Sequence, residues 1–339
     1  ISLAIGLVFI TTLGIAVIAH YLIPGMTWPV SFVLGSILAA TDAVAAMSIT
    51  KNLGLSPNTA IILEGESLIN DASALVAYHF AVASVTGAIF VWWKASFTFL
   101  ILMAGGLLTG LIMSKVLGFL LRSVRTNTKA VLSFTLLAPF VTYLLAEEFH
   151  FSGVIAVVAL GLGISLLSAG KFPETLRQQS KTIWSMIVFL LNGFIFILIG
   201  LEFPIVVKAI DPKLLVPYTG YAFLITLLMI FLRIGRIFLK RKSLELAFRN
   251  PRLKNSKRAI PESILLSFQD SIIIGWSGMR GIVSLAIAVA LPLQMENGIA
   301  FPMRDALIFI ATVVVLFTIV GQGFLLPFII KRTRRIEPA

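Results

Sequence analysis

Apolar and polar stretches alternate along this 339-residue chain in a way that predicts its architecture. Ten runs of mainly apolar residues have about the 20 residues that an α-helix needs to cross the hydrocarbon layer of a membrane. These runs are 1–23, 28–49, 58–86, 95–121, 130–146, 152–169, 183–203, 216–239, 267–291 and 305–330. The pattern predicts an all-α polytopic membrane protein in which residues 1–339 form one transmembrane domain.

The basic residues are distributed unevenly over the connections between these runs. Lys and Arg concentrate after the second, fourth, sixth, eighth and tenth helices, including a basic connection at 240–258, and are few elsewhere. Because basic loops stay on the cytoplasmic side, the alternation predicts a multi-pass protein of the cell membrane with a cytoplasmic C-terminus. The connection 240–258 is predicted to be a solvated anchor, with recognition of lipid headgroups as the alternative.

Composition narrows the functional classes. Apolar residues make up 58% of the chain, charged residues 12%, and the mean hydropathy is +1.02, which is typical of membrane proteins. The net charge of +12 falls in the short connections, so membrane topology explains it and no nucleic-acid partner is predicted. The sequence lacks Cys, a His cluster, a phosphate-binding loop and a Ser/His dyad, so we expect no cofactor, no ATP-driven pump and no enzyme.

Several polar side chains fall inside the second and third predicted helices, where a charge near the bilayer centre costs on the order of 3 kcal/mol. They are Thr41, Asp42, Glu64, Glu66, Ser67, Asn70, Asp71 and Ser73. Ser67 and Asp71 are four residues apart, as are Glu66 and Asn70, so these four side chains share one helix face. That face is predicted to point into the protein rather than at lipid.

Asp71 is the residue that we expect to carry ions. Burial raises the pKa of a carboxyl group and a bound cation lowers it, so one sheltered carboxylate can hold either a proton or a metal ion. Sodium prefers oxygen ligands, which Asp71, the Ser67 hydroxyl and nearby carbonyls would supply. The alternatives are a protonated, structural Asp71 and, for Asn70, a hydrogen bond across helices in place of a ligand role.

A buried cation is predicted at Arg280, in the middle of the ninth predicted helix. Its guanidinium group stays charged, so Arg280 needs an acidic partner inside the protein. Glu66 is assigned as that partner, with Glu64 as the other available acid. The pair is predicted to fix two central helices rather than to bind the transported ion.

Both the second and the ninth helix carry residues that favour an interruption. Thr41 and Asp42 lie within the second, and Gly275, Gly278 and Gly281 surround the cation of the ninth. Two interrupted helices that meet at the midplane, with free carbonyls and helix ends available to ions, are typical of transporters built from inverted repeats. The two segments are predicted to be counterparts of this kind.

The run ATDAVAAMSITKNLGLSPNTAIILEGESLINDASALV, residues 40–76, resembles the signature of NhaP-type and animal sodium/proton exchangers of the cation:proton antiporter superfamily. Three further blocks, FSGVIAVVALGLGIS, FLLNGFIFILIGLE and GWSGMRGIVSLAIAVALP, are similar to the same family in the same order. The resemblance extends over nearly the whole chain. Two departures are Ala43, where many relatives have Pro, and first helices that we expect to be missing before Ile1, three by our estimate from the orientation of the loops.

The resemblance implies an inverted-repeat antiporter fold with two crossed, unwound helices. It implies an ion-binding core at roughly 28–86 and 267–330, with the remaining helices shared between this core and a dimerisation domain. It also implies a homodimer in which the core undergoes an elevator-like motion. It assigns ion and proton binding to Asp71, and help in binding the sodium ion to Asp42, Ser67 and the Thr41 carbonyl. Asn70, directly before Asp71, is counted among the ion-binding residues. The structural ion pair is assigned to Glu66 and Arg280. The Asn-Asp pair implies electroneutral exchange of one proton for one cation.

Together these patterns predict secondary active antiport of a monovalent cation, sodium first, against protons, for pH and sodium homeostasis. Potassium/proton exchange is the alternative within transport. An ion channel or a pH-sensing membrane scaffold is the alternative of another class. The predicted partners are the monovalent cation, the proton, the lipid bilayer and a second copy of the chain.

Overall fold

The computed structural model describes residues 2–42, 46–47, 57–85, 92–124, 127–168, 174–249, 267–295 and 298–334, and these are mostly helical. The helices are α1 (Ser2–Leu22), α2 (Trp28–Ile37), α3 (Pro57–Val85), α4 (Trp92–Ser123), α5 (Thr128–Glu148), α6 (Gly153–Ser168), α7 (Glu174–Ala209), α8 (Pro212–Arg249), α9 (Phe268–Trp276), α10 (Ile282–Val289), α11 (Arg304–Leu316), a π-helical segment (Phe317–Gln322) and α12 (Gly323–Arg334). Extended pairing in the described ranges is limited to one isolated bridge, Gln294–Ala300. The all-α prediction is confirmed for this part of the chain.

Local sequence signals explain where several helices begin. The Asn127 side chain caps α5 by accepting a hydrogen bond from the Ala130 N–H at 3.2 Å. Ser267 caps α9 in the same way, with the Asp270 N–H as donor at 2.9 Å. A proline opens both α3 and α8, at a position where a backbone N–H would have no partner within the helix.

Within the described ranges, six helices are long and apolar enough to cross a membrane, judged by length and composition, and the shorter apolar helices 6–22, 28–37 and 153–166 accompany them. The six are Gly65–Val85, Leu100–Ser123, Thr128–Glu148, Arg177–Ala209, Pro212–Ser243 and Arg304–Thr333. Large apolar side chains on them are exposed, such as Phe189 and Phe231, which suits contact with lipid. The chain is therefore a multi-pass membrane protein, and the number of ten spans stays a prediction.

The second and ninth predicted helices are both interrupted, as expected. α2 ends at Ile37, and residues 40–42 leave the helical path before a helical conformation returns at 46–47. In the ninth segment, α9 ends at Trp276 and α10 begins at Ile282. Position Ala43, the departure noted above, lies outside the described residues.

The connection predicted at 240–258 differs from the structure in its first part. Residues 240–249 continue α8 as a regular helix, and residues 250–258 lie outside the described ranges. Lys, Arg, Leu, Glu and Ala are good helix formers, so a basic sequence does not by itself end a helix. Arg241 and Glu245 add an ion pair four residues apart, with Nε and Oε1 separated by 2.9 Å.

The chain divides into two compact units, of which the first comprises Ile1–Thr86 and Ile195–Ala339. Its main core brings together buried apolar residues of α1, α2, α8 and α11, among them Ile15, Leu34, Ile225 and Leu307. Both interrupted helices belong to this unit. It also contains both ranges predicted above for the ion-binding core.

The second unit comprises Gly87–Phe194 and therefore contains α4, α5, α6 and the beginning of α7. Glycines allow α4 and α6 to approach closely, because a Cβ at Gly110 would collide with the Ala156 carbonyl and one at Gly106 would meet Ser152. The Glu147 carboxylate accepts a hydrogen bond from the Gly153 N–H at 3.0 Å, which caps α6. The predicted role of these helices in dimer formation stays a prediction.

Candidate functional site

The site begins at the end of α2, where the sequence Ala-Thr-Asp replaces regular helix. Thr and Asp side chains compete with the helix for backbone hydrogen bonds, which lowers the free-energy cost of interrupting the helix here. Residues 40–42 consequently have backbone groups that are available to neighbouring side chains. Thr41 is buried at this point, and Asp42 follows it.

The second interruption, between α9 and α10, is built around glycine. A Cβ at Gly278 would collide with the Arg233 side chain, and a Cβ at Gly281 would collide with the Asp42 carboxylate. Only a residue without a side chain allows both approaches. The two interruptions are joined directly, because the Asp42 N–H donates a hydrogen bond to the Met279 carbonyl at 2.8 Å.

One turn of α3 packs its polar face against Thr41. The Ser67 hydroxyl donates to the Thr41 carbonyl, and Asn70 Nδ2 donates to Thr41 Oγ1 at 2.9 Å. Asp71 lies close enough to the Thr41 backbone to interact with it electrostatically. The spacing of four residues seen in the sequence therefore places three side chains around a single residue of the interrupted helix.

Two acceptors of this cluster have no donor within the described part of the chain. Oδ1 of Asp71 and Oδ1 of Asn70 are both buried and make no hydrogen bond there. Burying such a group without a partner costs on the order of 1–3 kcal/mol, and more if it is charged. A bound cation or a proton on the carboxylate would compensate that cost, which makes this the candidate ion site.

The donors present suit a small hard cation. The described residues contain no group of three or more His, Cys, Asp or Glu side chains close enough to hold a metal ion. An ion at Asp71 would therefore need hydroxyl and carbonyl oxygens as well as carboxylates, the kind of ligands that alkali cations accept. Asp71 also interacts electrostatically with Asp42 and with Arg280, so both interruptions contribute to its environment.

Glu66 has a different partner from the one predicted. Its carboxylate accepts two hydrogen bonds from the Arg233 guanidinium on α8, at 2.8 Å from Nη1 and 3.2 Å from Nη2, and both side chains are only 4% exposed. Arg233 Nε also donates to the Ile274 carbonyl at 3.1 Å. The pairing of Glu66 with Arg280 was wrong because α8 presents a second buried arginine to α3.

The signal for Arg233 was present in the sequence. It lies inside the apolar run FLITLLMIFLRIGRIF of the eighth predicted helix, where the same cost applies as at Arg280. Its position two turns before the basic stretch beginning at Lys240 made it resemble part of the cytoplasmic anchor. The side chain of Glu64, the other acid considered, lies outside the described residues.

Arg280 is held by a different set of contacts. Its side chain is 1% exposed, and Nη1 donates to the Gly278 carbonyl at 3.3 Å. Its backbone N–H donates to Thr318 Oγ1 at 3.1 Å, and the same hydroxyl lies 3.3 Å from the Arg280 carbonyl oxygen. Thr318 belongs to the π-helical segment, and sequence patterns did not reveal it. Arg280 interacts electrostatically with Asp71, Glu66 and Arg233, so it contributes to the field at the site.

Comparison with known proteins adds an independent observation. A family model described as "Sodium/hydrogen exchanger, transmembrane" matches residues 1–332. The sodium, potassium, lithium and rubidium/H(+) antiporter of Bacillus pumilus is 34% identical over 339 residues, covering 97% of this chain and 49% of the relative. The Na(+)/H(+) antiporter NhaH of Halobacillus aidingensis is 31% identical, covering 96% of this chain and 73% of the relative.

A solved structure has the same fold. The sodium proton antiporter MjNhaP1 from Methanocaldococcus jannaschii superposes with a TM-score of 0.67 at 20% sequence identity, covering 95% of this chain and 78% of that protein. The chain spans about half the length of the Bacillus relatives that it matches.

Proposed function

Because the chain belongs to the sodium/hydrogen exchanger family, we propose that it exchanges a monovalent cation, sodium first, for protons across a cell membrane, with Asp71 binding each in turn. The observation that carries the proposal is the buried Asp71 Oδ1, which makes no hydrogen bond within the described residues. Asp71 interacts electrostatically with Thr41 and Asp42 of one interruption and with Arg280 of the other.

The charges around Asp71 support the binding of either one cation or one proton at a time. Among the side chains that the structure describes near Asp71, Glu66 and Arg233 neutralise each other, and Asp42, Asp71 and Arg280 sum to one negative charge when both acids are ionised. One cation, or one proton on Asp71, brings that sum to zero. Two loads together would leave a buried positive charge, which is costly in a membrane interior. Exchange of one proton for one cation is therefore part of the proposal.

The chain's own groups suit the two loaded states. The Thr41 backbone acts electrostatically on the Asp71 carboxylate, so the interruption contributes to the environment of Asp71 whether it holds a cation or a proton. Ser67 donates its proton to the Thr41 carbonyl, which places the hydroxyl oxygen beside the interruption, and a hydroxyl oxygen is a ligand that a hard cation accepts. The N-terminus of α10, close to Asp42 through Gly281, carries a partial positive charge that stabilises the acids when no cation is bound.

The remaining parts of the proposal rest on the family. We propose that Asp42, Ser67 and the Thr41 carbonyl share the sodium ion with Asp71, that Asn70 orients Thr41, and that the protein works as a homodimer whose core moves relative to its partner. We also propose a cytoplasmic C-terminus, in keeping with the basic loops. These features support a role in pH and sodium homeostasis.

The test uses the full-length protein in liposomes that contain a pH-sensitive dye. Addition of sodium outside should drive protons out of the liposomes, and Asp71→Asn should abolish this signal. The matched control is Asp211→Asn, an identical chemical change at an exposed turn where the amide oxygen can still accept from the Lys213 N–H. Loss of exchange in the control as well, or persistence of exchange in Asp71→Asn, would contradict the assignment.

Further arms of the same assay separate the alternatives. Potassium is the second candidate cation, since the name of the Bacillus pumilus relative includes sodium, potassium, lithium and rubidium; replacing sodium by each ion in turn ranks them. One-for-one exchange should be insensitive to an imposed membrane potential. A channel would instead show cation flux without a proton gradient and a current that follows the potential.

A further inference from the structure

A cleft of about 720 Å³ opens between α1, α8 and α9, inside the first compact unit and apart from the ion site. Its wall combines apolar and basic side chains. The apolar part includes Phe231, Leu239 and Phe268, and the charged part consists of Arg236, Arg241, Lys242 and Glu245. Arg236 lies within the apolar part along α8, and Arg241, Lys242 and Glu245 follow at one end. An apolar wall that ends in charged side chains suits an amphipathic molecule.

The charges in the cleft do not cancel. Three cations face one carboxylate, and that carboxylate, on Glu245, pairs with Arg241 at 2.9 Å. The Arg241 guanidinium carbon also lies 5.4 Å from the centre of the Phe268 ring, which fixes the side chain against the apolar wall. Even without Arg236, which has contacts of its own, the described lining is net positive, because Lys242 adds a positive charge beside the Arg241–Glu245 pair. A ligand that complements this lining must carry negative charge.

The position of the charges along α8 agrees with the headgroup level of a membrane. Glu66 lies five residues from Asp71 on α3, a rise of about 7 Å, and its partner Arg233 lies eight residues before Arg241 on α8, a rise of about 12 Å. The basic loops orient α3 and α8 in opposite directions, so these distances add to about 20 Å from the level of Asp71. Half of the hydrocarbon layer is about 15 Å thick.

This estimate rests on the proposed function in one respect, namely that Asp71 lies near the midplane. On that basis Arg241 and Lys242 reach the phosphate level of the cytoplasmic leaflet. Phe231 and Leu239 are both strongly exposed. Phe231 lies deeper, beside the acyl chains, and Leu239 lies at the boundary between the acyl chains and the headgroups. A free phosphate or a nucleotide would leave this apolar wall unused.

We infer that the cleft binds an anionic glycerophospholipid of the cytoplasmic leaflet. Its phosphate group contacts Arg241 and Lys242, and one acyl chain lies along the apolar wall of Phe231 and Leu239. Basic pockets between membrane helices on the cytoplasmic side are suited to such headgroups. Because α8 also carries Arg233, the bound lipid would hold the cytoplasmic part of a helix that reaches into the centre of the protein.

Equilibrium binding tests the inference without any transport measurement. The full-length protein in detergent is titrated with phosphatidylglycerol carrying an acyl-chain fluorophore, and in parallel with phosphatidylcholine carrying the same label, with anisotropy as the readout. Wild type should bind phosphatidylglycerol more tightly. Each basic residue near an anionic surface contributes roughly fivefold, so Arg241→Gln with Lys242→Gln should weaken that binding about 20- to 30-fold and leave phosphatidylcholine unchanged.

Two matched variants control for charge and folding. Lys208→Gln with Lys213→Gln removes the same charge at exposed positions on the opposite side of the membrane and should bind like wild type. Arg241→Lys with Lys242→Arg keeps the charge and should stay within about threefold of wild type. Binding by wild type should also weaken as salt is raised, because exposed charges are screened.

Two results would overturn the inference. One is equal affinity of wild type for the two lipids. The other is wild-type affinity for phosphatidylglycerol in the Gln double variant, as expected if a segment of a longer protein or a second copy of the chain covers the cleft. Neither result bears on Asp71, whose role is measured by exchange in liposomes.

Discussion

Replacing either member of the Glu66–Arg233 pair tests how the centre of the protein is held together. Glu66→Gln keeps the shape of the side chain but removes its charge, which leaves the Arg233 guanidinium buried without a counter-ion. Arg233→Met removes the cation and keeps the apolar stem. The double variant removes both charges, so no uncompensated charge stays buried.

The size of the effect follows from the contacts. Arg233 makes two charge-assisted hydrogen bonds to the carboxylate, at 2.8 and 3.2 Å, and both side chains are 4% exposed. Breaking a pair buried to this degree by removing one partner costs about 3–5 kcal/mol, whereas replacing both partners is often close to neutral. We therefore expect Glu66→Gln to destabilise by about 3 kcal/mol and the double variant to recover most of that loss, a coupling of about 2–4 kcal/mol.

The measurement is a double-mutant cycle of unfolding free energies, obtained by reversible denaturation in mixed micelles and followed by circular dichroism. The control cycle pairs Glu66→Gln with Arg280→Met, the partner that sequence reasoning favoured. It should give a smaller coupling than Glu66 with Arg233, because Glu66 and Arg280 interact electrostatically but share no direct hydrogen bond. A coupling near zero for Glu66 with Arg233, or a larger coupling for Glu66 with Arg280, would refute the reasoning.

Two further predictions concern the interruption between α9 and α10, and both are measured by exchange in liposomes. Gly281→Ala should reduce the exchange rate at least tenfold, because the added Cβ would displace the Asp42 carboxylate of the facing interruption. The control Gly220→Ala, where a Cβ meets nothing within 4 Å, should exchange at the wild-type rate. Normal exchange in Gly281→Ala would contradict the close approach. Thr318→Val removes the hydroxyl that accepts a hydrogen bond from the Arg280 backbone N–H, and it should raise the apparent KM for the cation several-fold. The control is Thr312→Val, which loses only a hydrogen bond to its own helix. Equal KM values in these two variants would exclude a positioning role for Thr318.

Much of the candidate site could be predicted from spacing along one helix. Ser67 and Asp71 had to share a face because they are four residues apart, and a face so polar had to be sheltered from lipid. The interruptions could be predicted as well, since Thr41–Asp42 and the glycines near position 280 are poor residues for the middle of a membrane helix. Each of these inferences depends on local geometry, which the sequence encodes directly.

The contacts between distant segments could not be predicted in the same way. The sequence contains more than one buried cation that Glu66 could pair with, and the packing of α8 against α3 places Arg233 next to it. Thr318 contacts the Arg280 backbone because it lies in the π-helical segment. The sequence alone thus determined that the chain is a multi-pass helical membrane protein and that the polar face of α3 is sheltered, through length, apolarity and period. Which helix supplies each partner was decided only by tertiary packing, because pairing energies between buried charges depend on distances of a few ångströms that no pattern along the chain specifies.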